Sequence, residues 1–249
     1  MLHGLHGLFI VLLFFPSLDV QARQQRVRWW SMTMLHVLGL RLGFQGQFAP
    51  GAKLIVANHI SWLDIMAVHA VCPEARFVSK ADVQHWPLVG RLVAAGATLY
   101  IERERSRDAS RVVHQMAAAL EAGDTVAIFP EGTTADGRTL LPFHANLLQA
   151  AISAGVPVQA VAIRFSDRLH AVSPAALFLG DTTLAQSLWA LACGDGVVAH
   201  LTVLPARAST GAKRRELADS LRQEIVAAQA RVATPAAAAA LAAASASPR

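Results

Sequence analysis

The segment from Lys53 to Val68 constrains most strongly what this chain can fold into. Lys53-Leu54-Ile55-Val56 is a short apolar run of the kind that forms a buried strand, and Ile65-Met66-Ala67-Val68 reads as the body of a helix. Between them lies Ala57-Asn58-His59-Ile60-Ser61-Trp62-Leu63-Asp64. A histidine is thereby placed in a strand-to-helix turn, where rigid elements hold its backbone and its side chain can reach a cleft. On a continuous helix, residues five apart point about 140° away from each other. His59 and Asp64 can face each other only if the chain bends at Ile60-Ser61, and Ser61 as N-cap with Asp64 at N3 supplies that bend. A histidine beside an aspartate is a general base with an orienting carboxylate, which fixes the tautomer and stabilises the imidazolium. By itself the pair also admits a plainer reading, a helix-capping aspartate next to an ordinary loop histidine.

The same unit of apolar run, polar turn and helix recurs along the chain. Strands are expected at Leu54–Val56, Ala75–Ser79, Thr98–Ile101, Thr125–Phe129, Val158–Phe165 and Val197–Leu204. Ser106 to Ala122 carries Val112, Val113, Met116, Ala119 and Leu120 at helical spacing and is closed by Gly123. Asn146 to Ala154 is a second helix. Thr210 can cap a third over Lys213 to Arg231, with Leu217, Leu221, Ile225 and Val226 on one face. Strands alternating with helices predict an α/β fold, a mixed and mostly parallel sheet flanked by helices. With 249 residues there is enough chain for one such domain and a small appendage.

Composition bears on where the chain works. It is 54% hydrophobic and 16% charged, with a mean hydropathy of +0.39, yet no stretch reaches the ~20 uninterrupted apolar residues of a spanning helix. Residues 1–42 contain the apolar run Leu8 to Phe15, then Arg23, Arg26 and Arg28, then Trp29-Trp30, then the apolar-rich Met32 to Leu42. No Lys or Arg precedes the first run, which argues against a signal peptide. Cations followed by tryptophans and an apolar helix fit an interfacial anchor, so residues 1–42 are read as two helices dipping into one leaflet. The alternative is that they pack on the domain's own core. Residues 43–232 form the main domain, and the Ala-rich tail 233–249 has too little to bury to be ordered. A net charge of +5 suits anionic lipids or substrates. Nucleic acid is not expected, for no Lys/Arg-rich run is interleaved with aromatics. Cys72 and Cys193 stand alone, so neither a disulfide framework nor a metal site is implied.

Three further stretches punctuate strand ends. Gly96-Ala97-Thr98-Leu99-Tyr100-Ile101-Glu102-Arg103 delivers a cation that can grip a phosphate or carboxylate with two hydrogen bonds. Phe129-Pro130-Glu131-Gly132-Thr133-Thr134 offers a carboxylate, a glycine turn and two hydroxyls, although it is also acceptable turn chemistry. Val156-Pro157-Val158-Gln159-Ala160-Val161 borders an acyl groove or is only core.

Taken in that order, the Asn-His-x-x-x-x-Asp turn, the Gly…Tyr-Ile-Glu-Arg strand, Phe-Pro-Glu-Gly-Thr and Val-Pro-Val resemble the glycerolipid acyltransferase family. Phe77-Val78-Ser79-Lys80 and Trp86-Pro87-Leu88-Val89-Gly90 also fit, and the resemblance runs from about residue 45 to about residue 205. The bacterial members include 1-acylglycerol-3-phosphate and lyso-ornithine lipid acyltransferases. Two departures stand out, Glu102 where Asp is usual and Ala160 where a second proline is frequent. The resemblance implies that His59, oriented by Asp64, deprotonates a lysolipid hydroxyl, which attacks an acyl thioester of coenzyme A or acyl carrier protein. No bound cofactor is implied. Arg103, Glu131, Gly132, Thr133 and Lys80 would hold the acceptor head group, with Asn58 helping to place His59. The implied location is a bacterial-type inner membrane, peripheral or monotopic, with the active site facing the cytoplasm. Lysophosphatidate is the first acceptor and lyso-ornithine lipid the alternative. A thioester or lipid hydrolase using the same pair on water competes with transfer. No Gly-x-Ser-x-Gly elbow is present, which argues only against a serine hydrolase. A membrane-anchored binding protein with a degenerate site is disfavoured by the intact His59, Asp64, Arg103 and Glu131.

Overall fold

Continuous apolar runs become strands buried on both faces. In the computed structural model, which describes residues 2–86, 89–101 and 106–232, every residue of β2 (Lys53–Ala57) and β5 (Thr125–Ile128) is buried. So are eight of the nine residues of β6 (Val158–Ser166). With β1 (Arg41–Gln45), β3 (Ala75–Lys80), β4 (Leu99–Ile101) and β7 (Val198–Val203) they form one seven-stranded sheet. Its order is β1-β7-β6-β2-β5-β3-β4, parallel at every pairing except β6 with β7. Both faces are covered by helices, as the alternating pattern predicts. On one face α2 (Val20–Val37), α3 (Leu63–His69) and α7 (Leu184–Cys193) close a core that includes Leu35, Leu63, Val68, Leu191 and the inward side chains of β2, β6 and β7. On the other, α5 (Ser106–Glu121), α6 (Gln149–Ala154) and α8 (Arg214–Val232) contribute Met116, Leu120, Ala151, Leu221 and Ile225. The short α4 (Val89–Ala95) precedes β4.

Two local expectations need correction, and one open alternative is narrowed. β1 is not the end of a helix: tertiary pairing with β7 draws Arg41 and Leu42 into the sheet. Val226 is 44% exposed and lies off the buried stripe of α8, to which Ala218 and Ala228 contribute instead. The Val-Pro-Val segment runs into the core: Val156 is half-buried against it, Val158 and Ala160 are fully buried, and the Gln159 amide bonds the backbone of Gln47, Ala49 and Leu204. The departure at Ala160 is therefore a packing choice.

The N-terminal residues form two helices, α1 (Leu2–Leu13) and α2. They meet where Trp30 lies over Gly7. A Cβ at Gly7 would sit 2.3 Å from the indole nitrogen, so only glycine allows this approach. His3 stacks on Trp30 with ring centroids 5.4 Å apart, and each residue bonds the other's backbone carbonyl. Leu2, Leu5, Phe9, Leu12 and Leu13 share the outward face of α1 and stay exposed. Among the described residues no helix is long and apolar enough to cross a membrane.

Candidate active site

β2 and β5 are neighbours and parallel, so the turns that leave their carboxyl ends must meet. His59 lies two residues beyond β2, and Glu131 three beyond β5. The imidazole Nδ1 of His59 is 2.7 Å from Asp64 Oδ2. That same oxygen accepts the backbone N–H of Ile60 at 2.7 Å and of Ser61 at 2.9 Å. Asp64 is fully buried, and these three donors are what make an ionised carboxylate tolerable there. Because a carboxylate only accepts, Nδ1 must carry the proton, and the lone pair is left on Nε2. No described residue bonds Nε2, and the side chain of His59 is 19% exposed.

The expected bend is present, but Ser61 does not cap it. Helix α3 starts without a side-chain cap, and Ser61 Oγ is buried with no partner among the described residues. The carboxylate of Asp64 reaches back to the turn and performs the capping itself. It thus orders the backbone and orients the base with one oxygen.

The second turn braces the first. Glu131 is 5% exposed; its Oε1 accepts the His59 backbone N–H and its Oε2 that of Leu141, both at 2.8 Å. Burial pushes the Glu131 carboxyl above its ordinary value, against the opposing pull of those two N–H donors. The His59 carbonyl in turn accepts from Ala135 N at 2.8 Å. The imidazole also stacks flat on Phe129, centroids 4.0 Å apart and planes 6° from parallel, and Phe129 stacks on Phe77. The imidazole therefore has one edge fixed by a carboxylate and one face fixed by an aromatic ring. The imidazolium that forms when Nε2 takes a proton would meet the negative charge of Asp64 and the electron-rich face of Phe129.

The other expected residues divide. Asn58 is buried, and its amide donates to Ile163 O at 2.9 Å and accepts from Ile163 N at 2.7 Å. It continues the β2–β6 ladder with a side chain and positions His59; it presents nothing to a ligand. Glu131 likewise bonds backbone with both oxygens and so braces the turn. Gly132 has φ +75°, and a Cβ there would come within 3.1 Å of the His144 ring. Thr133 is exposed beside it. Arg103 and the side chain of Lys80 lie outside the described residues. Sequence pattern assigns no role to Phe129 or His144: a phenylalanine ending a strand looks like core, and His144 follows Leu141-Pro142-Phe143 with no spacing signal. Among the described residues no group of three His, Cys, Asp or Glu could hold a metal ion.

A family model described as Acyltransferase matches residues 44–164. A lyso-ornithine lipid O-acyltransferase of Pseudomonas aeruginosa is 38% identical over 212 residues, covering 84% of this chain and 81% of the relative. A 1-acyl-sn-glycerol-3-phosphate acyltransferase of Neisseria meningitidis serogroup B is 34% identical over 189 residues, 76% of this chain and 73% of that one. The crystal structure of the 1-acyl-sn-glycerophosphate acyltransferase PlsC from Thermotoga maritima superposes with a TM-score of 0.68 at 18% identity, covering 93% of this chain and 88% of that one, and so shares the fold.

Proposed function

The chain belongs to the acyltransferase family, and on that premise we propose that it moves a fatty acyl group from an acyl thioester to the hydroxyl of a lysolipid, with His59 as general base and Asp64 as its orienter. The observation that carries the reading is the 2.7 Å contact between Nδ1 and a buried, triply bonded carboxylate oxygen, which leaves Nε2 as the accepting atom. Nε2 takes the proton as the lysolipid oxygen attacks the thioester carbonyl. The tetrahedral oxyanion collapses, the C–S bond breaks, and the imidazolium returns its proton to the departing thiolate. No covalent enzyme intermediate is needed.

The donor is a thioester of coenzyme A or acyl carrier protein. The acceptor is 1-acylglycerol-3-phosphate, whose phosphate Arg103 and Lys80 would grip, with Gly132 and Thr133 beside it. A second reading, lyso-ornithine lipid, is favoured by the relative that carries that activity in its name at 38% identity. Residues 1–42 would attach the enzyme to one leaflet of a bacterial-type inner membrane, with the site on the cytoplasmic side where soluble thioesters are. The outward apolar face of α1 supports this. The main domain 43–232 would then stand on that membrane surface.

The test is an assay of the purified protein in detergent with labelled acyl-CoA and acyl carrier protein thioesters, offered lysophosphatidate and lyso-ornithine lipid in parallel. Diacyl product from either acceptor supports transfer and identifies the acceptor. Release of free fatty acid with no acylated lipid would assign the pair to hydrolysis.

A further inference from the structure

Helix α7 is unusual for a surface helix: Leu184–Cys193 contains no charged residue. Its inward side is ordinary, with Ser187 and Leu191 buried. Its outward side carries Leu184, Ala185, Trp189, Ala192 and Cys193, all exposed, with Gln186 as the one polar member. Trp189 is 73% exposed, and a solvated indole on a charge-free helix needs an explanation. The helix start is well formed by a Thr183–Gln186 capping box, so the exposure is not that of a frayed end.

Two observations say what covers this face. First, α7 is joined to the catalytic turn: the Trp62 indole donates to Ser187 Oγ at 3.1 Å, and the segment leading to α7 is tied to that turn by Phe178 N donating to Ile60 O at 3.3 Å. Second, α7 lies on the same face of the sheet as α2, with Leu191 and Leu35 in one apolar layer. Just beyond the helix, exposed Arg168 and Asp195 neutralise each other, and Leu169 beside Arg168 is 88% exposed, so an apolar tip flanks the charge-free face. An exposed indole on a charge-free helix, with a further apolar tip at its edge, is the chemistry of a lipid–water interface.

We propose that the outward face of α7 is a second membrane-contact surface, separate from the N-terminal hairpin, which lays a lipid surface alongside the His59 turn. The proposal rests on the reading that the acceptor is a lysolipid. Two separated contacts fix the tilt of the domain on the bilayer, which a hairpin alone would leave free. An acceptor could then pass from the leaflet to His59 without leaving lipid.

Cys193 makes this directly testable. It is exposed one turn from Trp189, whereas Cys72 is buried and burial raises its thiol far above the ordinary value. In full-length protein, Cys193 would be labelled with a polarity-sensitive thiol fluorophore and titrated with phosphatidylethanolamine/phosphatidylglycerol vesicles. The expected result is fast labelling without vesicles and a blue shift with them. Trp189→Glu and Trp189→Ala should each lower turnover of long-chain lysolipid in vesicles by about tenfold or more. Both should retain turnover of a hexanoyl lysolipid below its micelle concentration. An unchanged spectrum while the protein floats with vesicles would overturn the proposal, as would undiminished vesicle turnover in both variants. Slow labelling without vesicles would overturn it too, because the face would then be covered by the chain itself, or by a second copy if dilution restores the rate. Failure of the wild type to acylate either lipid would sink the proposed function while leaving the fluorophore result on α7 intact.

Discussion

Two histidines, one in the turn after β2 and one inside β7 on the far side of β6, show how environment divides one residue type into different roles. His59 leaves the parallel strand β2, is partly exposed, and has a carboxylate on one nitrogen and a phenylalanine under its face. His200 sits in the antiparallel β6–β7 pair, directly across from Arg164. It is 1% exposed, its Nε2 is 2.7 Å from Ser166 Oγ, and its Nδ1 has no partner among the described residues. Burial, then the guanidiniums of Arg164 and Arg41, lower its ordinary value of 6.5 to about 4. One imidazole has an anion against its ring nitrogen, and the other is held back from becoming a cation. Full burial beside the guanidiniums of Arg164 and Arg41 keeps His200 neutral, whereas His59 is partly exposed and lies against a buried carboxylate.

The strongest way to break the comparison is to remove the prepared base. His59→Ala should lower the acyl-transfer rate by about 10²–10⁴ with an unchanged circular dichroism spectrum, and Asp64→Asn by a similar order because the imidazolium loses its counter-charge. Near-normal turnover of His59→Ala in the detergent assay would remove the basis for the contrast. Glu131→Gln tests the brace without touching the imidazole. A glutamine amide can accept one backbone N–H but must turn its own donors toward the other, orphaning a buried group at a cost of about 1–3 kcal/mol. A fall in both kcat and melting temperature is expected, and an unaffected melting temperature would mean the brace is not needed.

His200→Gln probes the other side. At pH values between 6.5 and about 4 the unfolded chain protonates this histidine and the native protein does not. Stability is therefore full above 6.5 and is lost as pH falls toward 4, by roughly 3 kcal/mol if the whole shift is expressed. The substitution should flatten that part of a pH–stability curve and leave turnover near neutral pH nearly unchanged, as followed by urea titration at several pH values. The smallest effect is expected at Ser61. Its hydroxyl has no partner among the described residues, so Ser61→Ala should change stability by no more than about 0.5 kcal/mol in either direction. A loss of 1 kcal/mol or more in denaturant titration would show that the hydroxyl does cap the turn.

Much of this molecule is written in local pattern. Short apolar runs bounded by turn residues locate β2, β3, β5 and β6, and helical spacing locates α5 and α8, because side-chain period is a property of a few adjacent residues. The His59–Asp64 pair is legible for the same reason: both members belong to one turn, five residues apart. What pattern could not supply was everything that depends on which strands become neighbours. β2 and β5 lie some 70 residues apart in the chain, and only their pairing brings Glu131 under the backbone of His59 and Phe129 under its ring. The same holds for β1, a strand only because β7 offers it a partner, and for Asn58, whose amide is consumed by Ile163. His200 had no distinguishing mark in sequence, since its burial and the Arg164 cation across from it both come from a strand pairing. Local sequence thus determined the elements and the His59–Asp64 pair. Only the tertiary structure decided which polar groups support that pair, because hydrogen bonds and buried charge act between residues that the chain alone does not place side by side.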